Sequence, residues 1–333
     1  MIALFLLGGF ALLLVGGEFL VRGSVGIALK LRVSKVVIGL TLVAFATSAP
    51  ELLVSVVAAT RGKSDIALGN VIGSNIANIG LILGLTALVY KMKAVRMHYR
   101  NDWLFLLLAN ALLAVFLFYG GITTGQGLLL VALLVGYNIQ KIRSARRNRN
   151  LAIGEEIEEI HLPVWKGVTL LIVGALGLSF GAKFFVSGIS ALAIHFGMTE
   201  RFVAVTMVAF GTSVPELAAS FMAARKGESD IAIGNIIGSN IFNILSVLGF
   251  TALVQLITLH DAAIFTFDFH AFVFFTLLKI LIAFLLLQVS SISVKANEVS
   301  LGSFNVTLTT TVSSGLALRT EAADCKLISG DSL

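Results

Sequence analysis

TLVAFATSAPELLVSVVAATRGKSDIALGNVIGSNIANIGLILGLT, residues 41–86, returns at 206–251 as TMVAFGTSVPELAASFMAARKGESDIAIGNIIGSNIFNILSVLGFT. The offset is 165 throughout, no gap is needed, and 29 of the 46 positions are identical. Convergence of two unrelated apolar helices does not give that agreement, so the chain is an internal duplication.

Outward from these copies the chain stays apolar, with 57% hydrophobic residues, 13% charged and a mean hydropathy of +0.98. So few charges cannot shield that much apolar surface from water, whereas a bilayer solvates it. Runs of membrane-spanning length predict helices at about 2–21, 36–60, 66–90, 102–119, 124–140, 164–183, 200–225, 229–256 and 267–287. The first begins without a basic leader and reads as a span rather than a cleaved signal. Residues 1–140 then form a first membrane repeat, 141–162 a charged, solvated linker and 163–288 a second repeat.

The net charge of +6 sits in short loops, not along one helical face, which argues against nucleic acid. Arg22, Lys30, Arg32 and Lys35 are expected after span 1, and Lys91, Lys93, Arg96 and Arg100 after span 3. Lys141, Arg143, Arg146, Arg147 and Arg149 fall in the linker. All three groups share one side if the N-terminus is outside and the linker is cytoplasmic. Five spans separate one copy from the next, so the two must enter the membrane in opposite directions. This is the inverted-repeat plan of many secondary transporters. Cys325 is the single cysteine, which excludes an intrachain disulfide and any CxxC site. His98, His161, His195, His260 and His270 have no metal-ligand spacing.

Each copy opens on a helix that Pro50 or Pro215 is expected to break, freeing carbonyls near Ala46–Thr47 and Gly211–Thr212. Beside the breaks stand Thr47, Ser48 and Glu51, matched by Thr212, Ser213 and Glu216. Carboxylate, hydroxyl and carbonyl oxygens are what hard cations prefer. In the second helix of each copy Asn70, Ser74 and Asn78 share one face, as do Asn235, Ser239 and Asn243. Gly69 and Gly73, or Gly234 and Gly238, suit close packing against the Pro-broken helix. Asn and Ser stripes also serve simply to hold membrane helices together. A glutamate at membrane depth costs a few kcal/mol and points to function. Asp65 and Asp230, following Ser64 and Ser229, read as helix caps, and Glu18 as an i,i+4 partner of Arg22.

The paired motifs TxxAxxTSxPE and GNxxGSNxxN resemble the signature repeats of the Ca²⁺/cation antiporter superfamily, which includes the sodium/calcium exchangers. The match is nearest to the short bacterial members. The resemblance implies an all-α polytopic fold of ten helices in two inverted five-helix repeats, with an ion cluster between helices 2, 3, 7 and 8. Carried over by position, Glu51 and Glu216 are its central ligands. Thr47, Ser48, Thr212 and Ser213 contribute hydroxyls or carbonyls, Ala44 and Ala209 carbonyls alone. Ser74, Asn78, Ser239 and Asn243 complete the cluster. Some exchangers carry Asp at the place of Asn243, so this chain has one acid fewer. The tenth helix, expected near 289–305, meets the polar VSSISVKANEVSLGSFN. Residues 289–333 resemble a frameshifted or truncated tail more than a final span.

The expected activity is exchange of Ca²⁺ for Na⁺ or H⁺ by alternating access across a bacterial inner membrane. Small cations and the bilayer are the only partners implied; no cofactor, no nucleic acid and no enzymatic activity are expected. A cation channel would use the same ligands without coupling two fluxes. An intramembrane serine enzyme on Ser48 or Ser213 would need a His or Lys base that neither repeat supplies.

Overall fold

The computed structural model of the chain describes residues 2–31, 33–90, 99–147, 162–198, 200–261, 263–274 and 277. Contacts divide the chain into two units, Met1–Lys279 and Ile280–Leu333, and every described residue lies in the first. The tail expected from about 289, most of the expected linker, and the end of the ninth span therefore lie outside the described residues.

Helix α1 covers Ile2–Leu31. Helix α2 (Lys35–Ile38), a π-helical stretch (Gly39–Val43) and α3 (Ala44–Thr47) follow, bent by 43° from α4 (Ala49–Thr60). Then come α5 (Ser64–Ala77), a π stretch (Asn78–Leu83), α6 (Gly84–Val89), α7 (Arg100–Phe118) and α8 (Thr124–Arg147). The second half repeats the order with α9 (Val164–His195), α10 (Glu200–Arg225), α11 (Ser229–Phe242), a π stretch (Asn243–Leu248) and α12 (Gly249–Val254). A further π stretch, Ile264–Phe269, opens the ninth expected span. Among the described residues six helices are long and apolar enough to cross a membrane, or seven if the bent pair is one span. The protein is a multi-pass membrane protein.

Helices α1 and α9 run longer than expected. Their 30 and 32 residues amount to about 45 Å each, well beyond the hydrocarbon thickness. Arg22 and Lys30, expected in a loop, lie inside α1. The seven residues 141–147, expected in the linker, continue α8.

The two long helices lie antiparallel at close range because glycines meet glycines. A Cβ on Gly9, Gly16 or Gly23 would stand 2.4, 2.7 or 2.6 Å from the backbone of Phe185, Leu178 or Gly167. The 165-residue offset carries these three glycines onto Gly174, Gly181 and Gly188, so the duplication extends to the outer helices.

Gly234 and Gly238 meet a partner other than the expected one. A Cβ at Gly234 would lie 3.0 Å from Val36 O, and one at Gly238 2.7 Å from Leu40 O. These glycines face the bent helix of the first half, not that of their own copy. Inverted halves interlock around a common centre, so here a helix of one copy nests in the other. Short strands β1 (Gly121–Ile122) and β2 (Ile257–Thr258) pair antiparallel and tie the α7–α8 turn to the segment after α12.

Candidate cation-binding site

Pro50 stands in the first turn of α4, where its missing N–H deprives the preceding turn of a donor. Ser48 takes φ −84° and ψ 4° at the bend. Its N–H still bonds Ala44 O (3.0 Å), and its carbonyl accepts from Leu52 (3.2 Å). The second copy differs, because Pro215 lies within the unbroken helix α10. A proline removes one hydrogen bond without forcing neighbouring residues from helical dihedrals, so the break expected at Val214 is not made.

The bend brings the expected ligands of both halves together in the interior. Glu51, Glu216, Ser74, Asn78, Ser239 and Asn243 have no exposed surface, and Ala44, Thr47, Ser48, Thr212 and Ser213 are also buried. Ala209 lies on α10 in a stretch whose side chains fall outside the described residues.

Contacts between the halves come in symmetry-related pairs. Thr47 Oγ1 donates to Asn235 Oδ1 and Thr212 Oγ1 to Asn70 Oδ1, both at 3.2 Å. Thr47 meets Ser239, and Thr212 meets Ser74, both at 3.3 Å. Asn70 and Asn235 in turn donate to Ser55 and Ser220 at 3.0 Å. Each threonine therefore belongs to a chain of hydrogen bonds anchored in the other copy. Helices 2, 3, 7 and 8 of the ten-helix plan meet at one place.

The symmetry fails at the carboxylates. Ser48 Oγ donates to Glu216 Oε1 at 3.2 Å. The matching pair does not form, and Ser213 Oγ and both carboxylate oxygens of Glu51 are buried without a partner. Glu216 Oε2, Asn78 Oδ1 and Asn243 Oδ1 share that condition. Buried acceptors are normally satisfied, so a group of oxygens left over at one centre fits a hard cation.

Four residues in this network were not among the site residues expected from the sequence: Ser55, Ser220, Asn75 and Asn240. Asn75 Nδ2 donates to Asn240 O (3.3 Å), Asn78 Nδ2 to Asn240 Oδ1 and Asn243 Nδ2 to Asn75 Oδ1, both at 3.0 Å. All four are identical columns of the duplication, and that was the available signal.

Asp65 and Asp230 do not cap their helices. The capping positions are Lys63 and Glu228, neither of which makes a side-chain capping bond. Asp65 instead accepts from the His260 main chain (2.9 Å) and Asp230 from Tyr99 Oη (2.8 Å), so each ties its helix to a segment distant in sequence. Glu18 forms its expected pair with Arg22 and a second with Lys226, both at 2.5 Å.

A family model described as sodium/calcium exchanger protein matches residues 1–142 and 166–315, reaching past the point where the tail departs from the expected pattern. Sodium/calcium exchanger MaX1 of Methanosarcina acetivorans is 33% identical over 299 residues, 79% of this chain and 85% of its own length. Inner membrane protein YrbG of Escherichia coli K12 is 34% identical over 260 residues, 75% of this chain and 78% of its own. Among solved structures, the sodium-calcium exchanger NCX_Mj, soaked with Na⁺ and Ca²⁺, superimposes with a TM-score of 0.71 at 32% identity. The match covers 84% of this chain and 89% of the other.

Proposed function

The chain belongs to the sodium/calcium exchanger protein family, and on that premise we propose that it is a secondary cation antiporter that carries Ca²⁺ against Na⁺ or H⁺. The observation that carries this reading is the set of buried oxygens without partners, from Glu51, Glu216, Ser213, Asn78 and Asn243, where the two repeats meet. The relatives and the solved neighbour named as sodium/calcium exchangers support it from outside the chain.

Glu51 and Glu216 supply two negative charges, matched by one Ca²⁺ or two Na⁺. An empty pair of carboxylates in a low-dielectric interior costs several kcal/mol, whereas a loaded pair is nearly neutral. The site therefore crosses between its two exposures readily only when occupied, and that makes exchange obligatory. Thr47, Ser48, Thr212, Ser213, Ser74, Asn78, Ser239 and Asn243 complete the ligand sphere, with the carbonyls of Ala44 and Ala209. The inverted halves supply the two end states by exchanging conformations.

The first repeat covers 1–140 and the second 163–288. The N-terminus lies outside and the central linker in the cytoplasm, since Lys30, Lys35, Lys141, Arg143 and Lys226 fall at the ends of helices reaching one side. The membrane is the bacterial inner membrane, as the name of YrbG suggests.

The test is ⁴⁵Ca²⁺ uptake into proteoliposomes under separate Na⁺, K⁺ and pH gradients. Uptake should follow the Na⁺ or the pH gradient, and Glu51→Gln or Glu216→Gln should abolish it. Wild-type flux in either variant, or single-channel conductance without counterflow, would remove the exchanger reading.

A further inference from the structure

Asn75 and Asn240 are not among the ligands of the cation site proposed above. They stand 165 residues apart, the repeat offset itself. The bond from Asn75 Nδ2 to Asn240 O at 3.3 Å therefore joins a residue to its own repeat equivalent. Such a contact lies on the pseudo-two-fold axis of the duplication. A main-chain carbonyl only accepts, so it is the amide nitrogen of Asn75 that must meet it, and the orientation of that amide is fixed. Its Oδ1 then faces Asn243 and accepts from Asn243 Nδ2 at 3.0 Å. The symmetry-related bond runs from Asn78 Nδ2 to Asn240 Oδ1, also at 3.0 Å.

The consequence falls on Asn78 and Asn243. Each commits its NH₂ group to the opposite repeat and keeps its Oδ1 buried with no protein partner. Asparagine carries one acceptor and one donor on nearly the same outline, and an amide turned over would present hydrogens to a cation instead of oxygen. An aspartate has two equivalent oxygens and no such ambiguity. This chain has asparagine at both places and needs something to choose the orientation.

Taking the cation site proposed above as the premise, we propose that Asn75 and Asn240 are positioning residues. They hold the amides of Asn78 and Asn243 with oxygen free for the cation, each copy setting the polarity of the other. The axis bond to Asn240 O anchors the Asn75–Asn243 pair, because a backbone carbonyl cannot reverse its role, whereas Asn240 Nδ2 is buried without a partner and Asn240 turns its Oδ1 to Asn78 without such an anchor. Neither asparagine touches the ion. Their effect passes entirely through the orientation of a neighbour.

A double-mutant cycle tests this. The half-saturating Ca²⁺ concentration for ⁴⁵Ca²⁺ uptake is measured for the wild type, Asn75→Leu, Asn243→Asp and the double variant, each monodisperse in detergent before reconstitution. Asn75→Leu should raise the half-saturating concentration by about 10- to 100-fold, the usual cost of losing a group that orients a metal ligand. In the Asn243→Asp background, where there is no amide to turn, the same substitution should change it by less than about threefold on the same scale. An equal loss in both backgrounds, or no loss in the wild-type background, overturns the proposal. If the leucine variant does not give folded protein, Asn75→Ala carries the same cycle. Asn240→Leu with Asn78→Asp repeats it from the other side. Glu51→Gln in the same vesicles separates the two claims. Normal uptake there sinks the cation-site reading and the positioning role with it. Loss of uptake there, with equal losses in the cycle, sinks the positioning role alone.

Discussion

Asp102 is fully buried near the start of α7, where Tyr137 Oη donates to it at 2.8 Å and Lys141 pairs with it. Phe105 stacks on the Tyr137 ring at 4.6 Å, and Lys141 Nζ lies 5.5 Å from the centroid of that ring. The carboxylate thus joins α7 to α8 away from the candidate cation site. Lys141→Met should cost about 3–5 kcal/mol of stability, because it leaves an uncompensated buried charge. Adding Asp102→Asn should restore most of that loss, and melting curves in detergent read both; equal melting of the single and double variants would count against a buried pair. The pair was not legible in the sequence. Its members are 39 residues apart, and Lys141 reads as the first residue of a linker. Glu51 and Glu216 were legible for the opposite reason, since an acid in the same column of both copies needs no tertiary knowledge to stand out. Asn75 and Asn240 are equally invariant between copies, yet they lie beside the Asn70–Ser74–Asn78 and Asn235–Ser239–Asn243 faces. Only the crossing of α5 with α11 gives them a partner.

At the scale of elements, hydropathy located every membrane-length helix among the described residues but misjudged three ends, those of α1, α8 and α9. Arg22 lowers the local hydropathy and suggests a loop, whereas α1 continues for nine more residues with Lys30 in its last turn. Basic side chains let a helix project beyond the hydrocarbon without ending it. The π stretches Asn78–Leu83 and Asn243–Leu248 occupy equivalent positions and begin on the site residues Asn78 and Asn243, and π-bulges are frequent at functional sites. Hydrophobic period does not reveal them, because one added residue per turn leaves an apolar run apolar. The α1–α9 glycines were visible as composition but not as a seam, which appears only once the helices are set antiparallel. Gly16→Leu should force them apart, since even a Cβ would sit 2.7 Å from Leu178 N, and folded protein and flux should both fall sharply. Gly8→Leu, one residue from the seam with nothing within 4 Å of its would-be Cβ, should leave both near wild type. A normal yield and flux from Gly16→Leu would show that the close approach is dispensable.

For the whole molecule, the informative feature is where the two halves differ in charge. Glu18 accepts from Lys226, and Lys35 pairs with Glu228 at 2.9 Å, so α1 and α2 are fastened to the turn between α10 and α11. The repeat offset carries Glu18 to Lys183 and Lys226 to Arg61, turning an attraction at one end into two cations at the other. In an inverted repeat, alternation between end states amounts to the halves exchanging conformations, so the state that opens Glu18–Lys226 is the one that brings Lys183 toward Arg61. Both effects favour the arrangement seen here. With Glu18 and Lys226 about a quarter exposed, each contribution is modest, roughly 0.2–1 kcal/mol, or a factor of about 1.4 to 5 in population. Glu18→Gln should therefore raise the share of the opposite state by that factor. Lys183→Glu, which supplies the missing attraction to Arg61, should raise it by a similar factor, and the two together by more. Distance distributions between spin labels on α1 and the end of α10, recorded in lipid at fixed Na⁺ and Ca²⁺, read the populations directly. Identical distributions in all variants would mean that these charges hold the helices in place without biasing the transport cycle.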